Sequence, residues 1–164
     1  MIFPSKEKLN KKLLEYFDTG SVNEFMMVNS IALAATHLTV ICRKNLAPYI
    51  SEVKNDTLAL GIGDMMTNKG AVNISFKLGD QRLLFINCHL EAHDENLLKR
   101  NDQWNELNRT FVEKIEEEGL LGKVVCGPKK NKISHKTADL KNDEMVHYDS
   151  VIWLGDMNYR IQAT

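Results

Sequence analysis

Two apolar runs joined by Gly79-Asp80 constrain this fold more than any other stretch of the chain. From Ala71 to Leu78 the side chains of Val72, Ile74, Phe76 and Leu78 recur at every second position, the pattern of a strand with one face in a core. Gly79-Asp80 is the order that a two-residue type II′ turn favours, since glycine accepts positive φ at the first central position. The next run, Arg82 to Leu90, is apolar on both faces and reads as a central strand.

The other elements arrange themselves around that pair. Ser5 to Asp18 carries Leu9, Leu13, Leu14 and Phe17 at helical spacing, with Gly20 as the stop. Glu24 to Ala35 and His37 to Arg43 read as two strands with a tight turn between them. Leu46 to Lys54 contains Pro48 and reads as irregular, and Thr57 to Gly63 reads as a short strand. Asp64 to Gly70 is a polar loop. Asp94 to Glu117 is the clearest helix, with Leu97, Trp104, Leu107, Phe111 and Ile115 on one stripe. Residues 119–145 are rich in Lys, Asn and Gly without a period, which suggests an exposed loop. Ser150 to Leu154 is a last strand.

Length and composition narrow the class. A chain of 164 residues supports one core rather than two domains. The 43% hydrophobic fraction excludes a disordered chain. The net charge of −1 sets up no global field toward nucleic acid or anionic lipid, so polyanion recognition must come from a local cluster. The three cysteines, Cys42, Cys88 and Cys126, match no zinc spacing and point to free thiols in a reducing, cytoplasmic compartment. The opening residues are polar and Lys-rich, unlike a signal peptide. Phe25 to Cys42 is apolar, but Asn29, Ser30, Thr36, His37 and Thr39 interrupt it, and a membrane span needs about 20 mostly apolar residues.

Chemistry concentrates at the end of the last strand. Gly155 breaks the apolar run, and Asp156 and Asn158 follow at i, i+2 with Arg160 close behind. A carboxylate can hold a water, an amide can donate to an oxyanion, and a guanidinium can fork onto phosphate. On these residues alone, Gly-Asp-x-Asn is more often an ordinary turn, because Asp and Asn bond to their own backbone. His89 ends the central strand, where a lone histidine is more often a hydrogen-bonded core residue. Arg100 falls on the inward stripe of the helix with His93, Leu97 and Trp104. There it needs an anionic partner, from a carboxylate or from a phosphate. His93 falls at the expected helix start, where backbone N–H groups favour an anion. Lys69, between Asn68 and Gly70, reads on its own as a solvated turn residue. Lys129, Lys130, Lys132 and Lys136 read either as a solvated loop or as a membrane-surface contact.

The string Trp153-x-Gly155-Asp156-x-Asn158-Tyr159-Arg160 resembles the first signature of the inositol polyphosphate 5-phosphatases. The resemblance runs from about Val28 to Arg160 and takes in Gly61-Ile62-Gly63, Asn68-Lys69-Gly70-Ala71-Val72, the run from Phe85 to His93, and Arg100-Asn101-Asp102. It implies the DNase I-like fold, an α+β two-sheet β-sandwich flanked by helices in four layers. It also implies Mg²⁺-dependent hydrolysis of the 5-phosphate of a phosphoinositide lipid or a soluble inositol polyphosphate. In that reading Asp156 orients and activates the attacking water, while Asn158 and His89 hold phosphoryl oxygens. Lys69 and Arg100 position phosphates, Asn68, His93 and Asn101 lie beside them, and Tyr159 and Arg160 shape the pocket.

The sequence departs from the family at Asp64 and Thr67, where Gly is more usual, and Asp64 brings a negative charge to the ring-phosphate region. The metal-binding Asn and Glu of the family, its second signature and its final Asp-His pair are not found in the sequence. The resemblance therefore implies a domain incomplete at both ends, no metal ligand within this chain, and little turnover from the chain alone. A catalytically dead binding module of the same fold remains the alternative. A DNase I-like nuclease is disfavoured by the match from Asn68 to His93 and by the Tyr159-Arg160 ending.

Overall fold

The computed structural model describes residues 6–17, 24–60, 69–112 and 147–160. In chain order the elements are α1 (Lys6–Phe17), β1 (Phe25–Leu33), β2 (Thr36–Arg43), β3 (Ile50–Ala59), β4 (Gly70–Leu78), β5 (Gln81–His89), α2 (Leu97–Phe111) and β6 (Ser150–Asp156). Short 3-10 turns occupy Lys44–Tyr49 and Asp94–Asn96.

The strands form two sheets. β1 and β2 make an antiparallel pair, and β3-β4-β5-β6 make the second sheet in that order. The hairpin between β4 and β5 closes as the sequence requires: Leu78 pairs with Gln81, and Gly79 takes φ +61. β6 runs parallel to β5, and α2 lies in the crossover between them.

The core forms between layers. Val72, Ile74 and Phe76 of β4 point at the β1–β2 sheet and pack with Leu38, Ile31, Leu33 and Val40. Leu84, Ile86, Cys88 and Leu90, with Ala71 of β4, point the other way and pack under Leu107 and Phe111 of α2. β5 is thus covered on both faces, as its composition demands. Asn87 ties the sheets together by donating its amide to the His37 carbonyl oxygen at 2.9 Å. On the far side, Asn10 of α1 accepts from the Ser30 and Thr39 hydroxyls, each at 3.2 Å. The order is helix, sheet, sheet, helix.

Several expectations need correction. Leu46 to Lys54 is not irregular: a 3-10 turn around Pro48 feeds directly into β3. β3 hides its period because it edges the described sheet, is exposed over residues 51–55 and carries a bulge between Ser51 and Lys54. The charges of Glu52, Lys54 and Asp56 suit such an edge. β4 is buried on both faces rather than one: its second face carries the small Ala71, Asn73 and Ser75, and Ala71 packs in the cluster with Leu107 and Phe111 of α2. The helix expected from Asp94 begins at Leu97, behind the 3-10 turn. Its buried stripe is Arg100, Gln103, Leu107 and Phe111, while Leu97 and Trp104 are exposed. Trp104 instead lies against Trp153 with ring centres 5.9 Å apart. The 119–145 loop and Ile115 lie outside the described residues.

Candidate functional site

Three strand ends meet at one edge of the four-stranded sheet. His89 is the last residue of β5, and it pairs with Asp156, the last residue of β6. On its other side His89 pairs with Gly70, the first residue of β4, so Lys69 arrives at the same edge. Lys69 Nζ lies 2.7 Å from His89 Nε2, and His89 Nε2 lies 3.9 Å from Asp156 Oδ2. An ammonium has no lone pair, so while Lys69 donates, Nε2 accepts and the ring proton sits on Nδ1. In that form His89 is neutral, and its approach to Asp156 is proximity rather than an ion pair. The Asp156 side chain is 65% exposed, open to a water or a ligand.

The backbone around Asp156 is fixed from several directions. Gly155 takes φ +107, and a Cβ there would fall 2.1 Å from the Cys88 carbonyl oxygen. Only glycine lets β6 approach β5 this closely at its last residues. Leu90 N–H donates to the Asp156 carbonyl at 3.0 Å. Asn158 takes φ +54, a conformation asparagine tolerates, and its N–H donates to Asp156 Oδ1 at 3.1 Å. The Asn158 side chain donates to the Leu90 carbonyl at 3.0 Å. One amide N–H is thereby used to hold the turn, and the amide has a second to offer an oxyanion.

The residues after Asp156 cross the start of α2. Tyr159 donates its hydroxyl to Asn101 Oδ1 at 2.7 Å, and Arg160 Nε lies 3.4 Å from Asp94 Oδ1. Arg100 is 2% exposed, and its guanidinium lies 5.6 Å from the Tyr159 ring centre. Among the described residues Arg100 meets backbone rather than a carboxylate: Nη1 donates to the carbonyls of His93 and, at 3.2 Å, of Glu91. Arg100 thus fastens the turn that follows His89. His93 is exposed at φ +74 and precedes the 3-10 turn, so it does not sit at the first turn of α2. Asn68 lies outside the described residues.

Sequence reasoning passed over Glu91, which lies between His89 and His93. Its carboxylate binds Lys99 Nζ at 2.8 Å and is held below the usual carboxylate range, first by that bond and further by the charges of Lys99, Lys69 and His93. Its place between two candidate histidines was the available signal. Cys88, beneath the site, is pushed up to about 11, by burial first and by the Asp156 charge second. It stays a thiol and packs as core. Among the described residues no three His, Cys, Asp or Glu side chains converge on one point. With Lys69 facing His89, the described edge suits an anion better than a divalent cation.

Residues 2–164 match the family described as Endonuclease/Exonuclease/phosphatase family 2. The chain belongs to that family. Among relatives within it, type II inositol polyphosphate 5-phosphatase 15 of Arabidopsis thaliana is 32% identical over 151 residues, spanning 88% of this chain and 13% of that protein. Type II inositol 1,4,5-trisphosphate 5-phosphatase of Mus musculus is 28% identical over 161 residues, spanning 97% of this chain and 14% of that protein. The crystal structure of the inositol polyphosphate 5-phosphatase domain of SPsynaptojanin, in complex with inositol (1,4)-bisphosphate and calcium ion, superposes with a TM-score of 0.65. It is 26% identical, and the match covers 96% of this chain and 38% of that one. This member of the family therefore has the helix-flanked two-sheet sandwich of that domain, and it spans about an eighth of the curated relatives it matches.

Proposed function

We propose that this chain carries the phosphate-binding and water-orienting part of a 5-phosphatase site acting on inositol polyphosphates or phosphoinositides. The observation that carries the reading is the convergence of Lys69, His89 and Asp156 on one sheet edge, next to the Asn158 amide. Lys69 supplies a point charge for a phosphate, and Asn158 supplies an N–H for a phosphoryl oxygen. Asp156 is exposed, fixed through its own backbone and able to accept a proton from an attacking water. Once an arriving anion draws Lys69 away from Nε2, His89 can donate from Nε2 to a phosphoryl oxygen in its other tautomer, with the ring proton moved from Nδ1. Tyr159 and Arg160 wall the opening from the α2 side.

The relatives named as 5-phosphatases and the inositol bisphosphate in the SPsynaptojanin complex support the substrate class. Magnesium enters the proposal only as the ion the family implies. The described side chains do not fit it, because among them no three His, Cys, Asp or Glu groups converge to hold a metal ion and the Lys69 ammonium contacts His89 at this edge; no step is routed through the ion. No helix among the described residues is long and apolar enough to cross a membrane. The proposed setting is the cytoplasm, where a lipid substrate would be met at the membrane surface.

The test is phosphate release from inositol phosphates of different substitution, with Mg²⁺ present. It uses the 164-residue chain and a chimera that places residues 69–160 in the SPsynaptojanin domain. The reading predicts release from inositol 1,4,5-trisphosphate by the chimera, none from inositol 1,4-bisphosphate, and loss on Asp156→Ala. Nicking of DNA without phosphate release would favour the nuclease reading instead.

A further inference from the structure

The peptide unit that joins Leu90 to Glu91 lies just past His89, and it is gripped at both ends. Its carbonyl oxygen accepts from the Asn158 side-chain amide at 3.0 Å, and its N–H donates to Gln103 Oε1 at 2.8 Å. Both bonds run through one rigid plane, so the Gln103 and Asn158 side chains are coupled across it. Hydrogen bonds in series also polarise one another: an acceptor on the N–H makes the carbonyl a better acceptor for Asn158. The neighbouring groups are held too. Leu90 N–H donates to the Asp156 carbonyl at 3.0 Å, and the Glu91 carbonyl accepts from the buried Arg100 at 3.2 Å. Here α2 meets the turn that carries Asp156 and Asn158.

Packing alone does not account for Gln103. It is 5% exposed, on the stripe of α2 where Leu107 and Phe111 join the core with Leu84 and Ile86 of β5. Only its oxygen can face the Glu91 N–H, so its Nε2 points elsewhere, and among the described residues that nitrogen makes no hydrogen bond. A buried amide with an orphaned donor is costly, and an apolar side chain of the same shape avoids that cost. What the glutamine adds is its acceptor. We infer that Gln103 is a positioning residue for the site: through the Leu90–Glu91 peptide it sets the Asn158 amide, so that the remaining N–H of that amide faces an arriving phosphoryl oxygen. The inference rests on the reading of Asn158 as a phosphoryl contact. Gln103 itself touches no reacting atom.

The test is a nuclear magnetic resonance titration of the 164-residue chain with inositol 1,4-bisphosphate, for wild type, Gln103→Met, Gln103→Glu and Leu107→Ala. Methionine keeps the shape without the acceptor, glutamate keeps the acceptor, and Leu107→Ala loosens α2 without touching the relay. In the wild type the Glu91 N–H resonance should move with the Asn158 side-chain resonances on one saturation curve. Gln103→Met should shift the Asn158 side-chain resonances in the free protein and weaken bisphosphate binding by roughly three- to tenfold. Gln103→Glu should keep those resonances near wild type and the affinity within about twofold of it. Leu107→Ala should lower thermal stability and leave both in place. Asn158 resonances indifferent to Gln103→Met, or moved alike by Gln103→Met and Leu107→Ala, overturn the inference. Should Gln103→Met fail to fold, the wild-type titration decides: a Glu91 N–H that stays still while Asn158 responds overturns it. A wild-type Asn158 amide that ignores the bisphosphate overturns the phosphate reading, and the positioning role with it.

Discussion

Lys69 Nζ lies 2.7 Å from His89 Nε2, closing the candidate site with a cation at one strand start and an imidazole at the neighbouring strand end. The two residues are twenty positions apart in sequence and meet because Gly70 and His89 pair across β4 and β5. Their contact has a different consequence for each. Lys69→Ala is expected to weaken ligand binding by about tenfold, near 1.4 kcal/mol, with little change in turnover of an active chimera. His89→Ala is expected to lower kcat by about 10²–10³, since a donor to the phosphoryl oxygen is lost. Steady-state kinetics that show the opposite split would reverse the two assignments.

Gly155 should be the least replaceable residue of the turn. Alanine there meets the Cys88 carbonyl and the Asn87 side chain at a φ of +107. Strain and overpacking together should reduce stability by about 3 kcal/mol. Gly79→Ala makes a fair comparison: its φ is +61, but nothing lies within 4 Å of the added Cβ, so a loss of about 1 kcal/mol is expected. Urea denaturation measures both, and equal losses would show that crowding at Gly155 is relieved by movement of β6.

Arg100 is a test of fastening against ligand contact. Arg100→Leu leaves the Glu91 and His93 carbonyls without their donor and should destabilise the chain by about 2–3 kcal/mol. Arg100→Lys should recover only part of this, because a single ammonium cannot copy the planar fork. If Arg100 instead mainly contacts ligand, thermal stability would be unchanged while affinity falls.

The same residue shows how far the sequence could be read. An arginine on an inward helical stripe was visible as a charge in need of a partner. Its partners were not, because the two carbonyls belong to a turn whose path depends on how β5 ends. The apolar stripe of α2 was misplaced for a related reason: the 3-10 turn at Asp94–Asn96 delays the helix and leaves Leu97 and Trp104 exposed. The hairpin at Gly79-Asp80 and the doubly covered β5 were legible, since turn chemistry and two-faced burial are local patterns. β3 was not, since an exposed bulged edge strand has no apolar period to read. The resemblance put His89 and Asp156 in one site, but not their direct pairing across β5 and β6. A parallel pair joined through a helix leaves its register to tertiary packing, not to a turn.

Acid should loosen α1 before the site. The His37 ring is held below its ordinary 6.5, by burial first and by the Lys6 charge second. Its Nε2 lies 2.9 Å from Ser30 Oγ and 3.2 Å from Thr39 Oγ1, both of which also bond Asn10 of α1. The folded chain therefore takes up this proton less readily than the unfolded chain. The associated stability is complete above about pH 6.5 and is lost as pH falls through the lower folded value. Protection of the α1 amides, corrected for the intrinsic pH dependence of exchange, should fall between pH 7 and 5, and His37→Gln should remove that step. Protection that is flat with pH in the wild type would show that His37 is not coupled to helix docking.

The central claim is that the sheet edge at Lys69, His89 and Asp156 recognises phosphate groups on an inositol ring. Calorimetry with inositol 1,4-bisphosphate, with unphosphorylated inositol as the control, tests it most directly. The account predicts saturable, salt-sensitive binding of the bisphosphate, none of inositol, and about tenfold weakening on Lys69→Ala. Equal binding of the two ligands, or bisphosphate binding indifferent to Lys69, would contradict it.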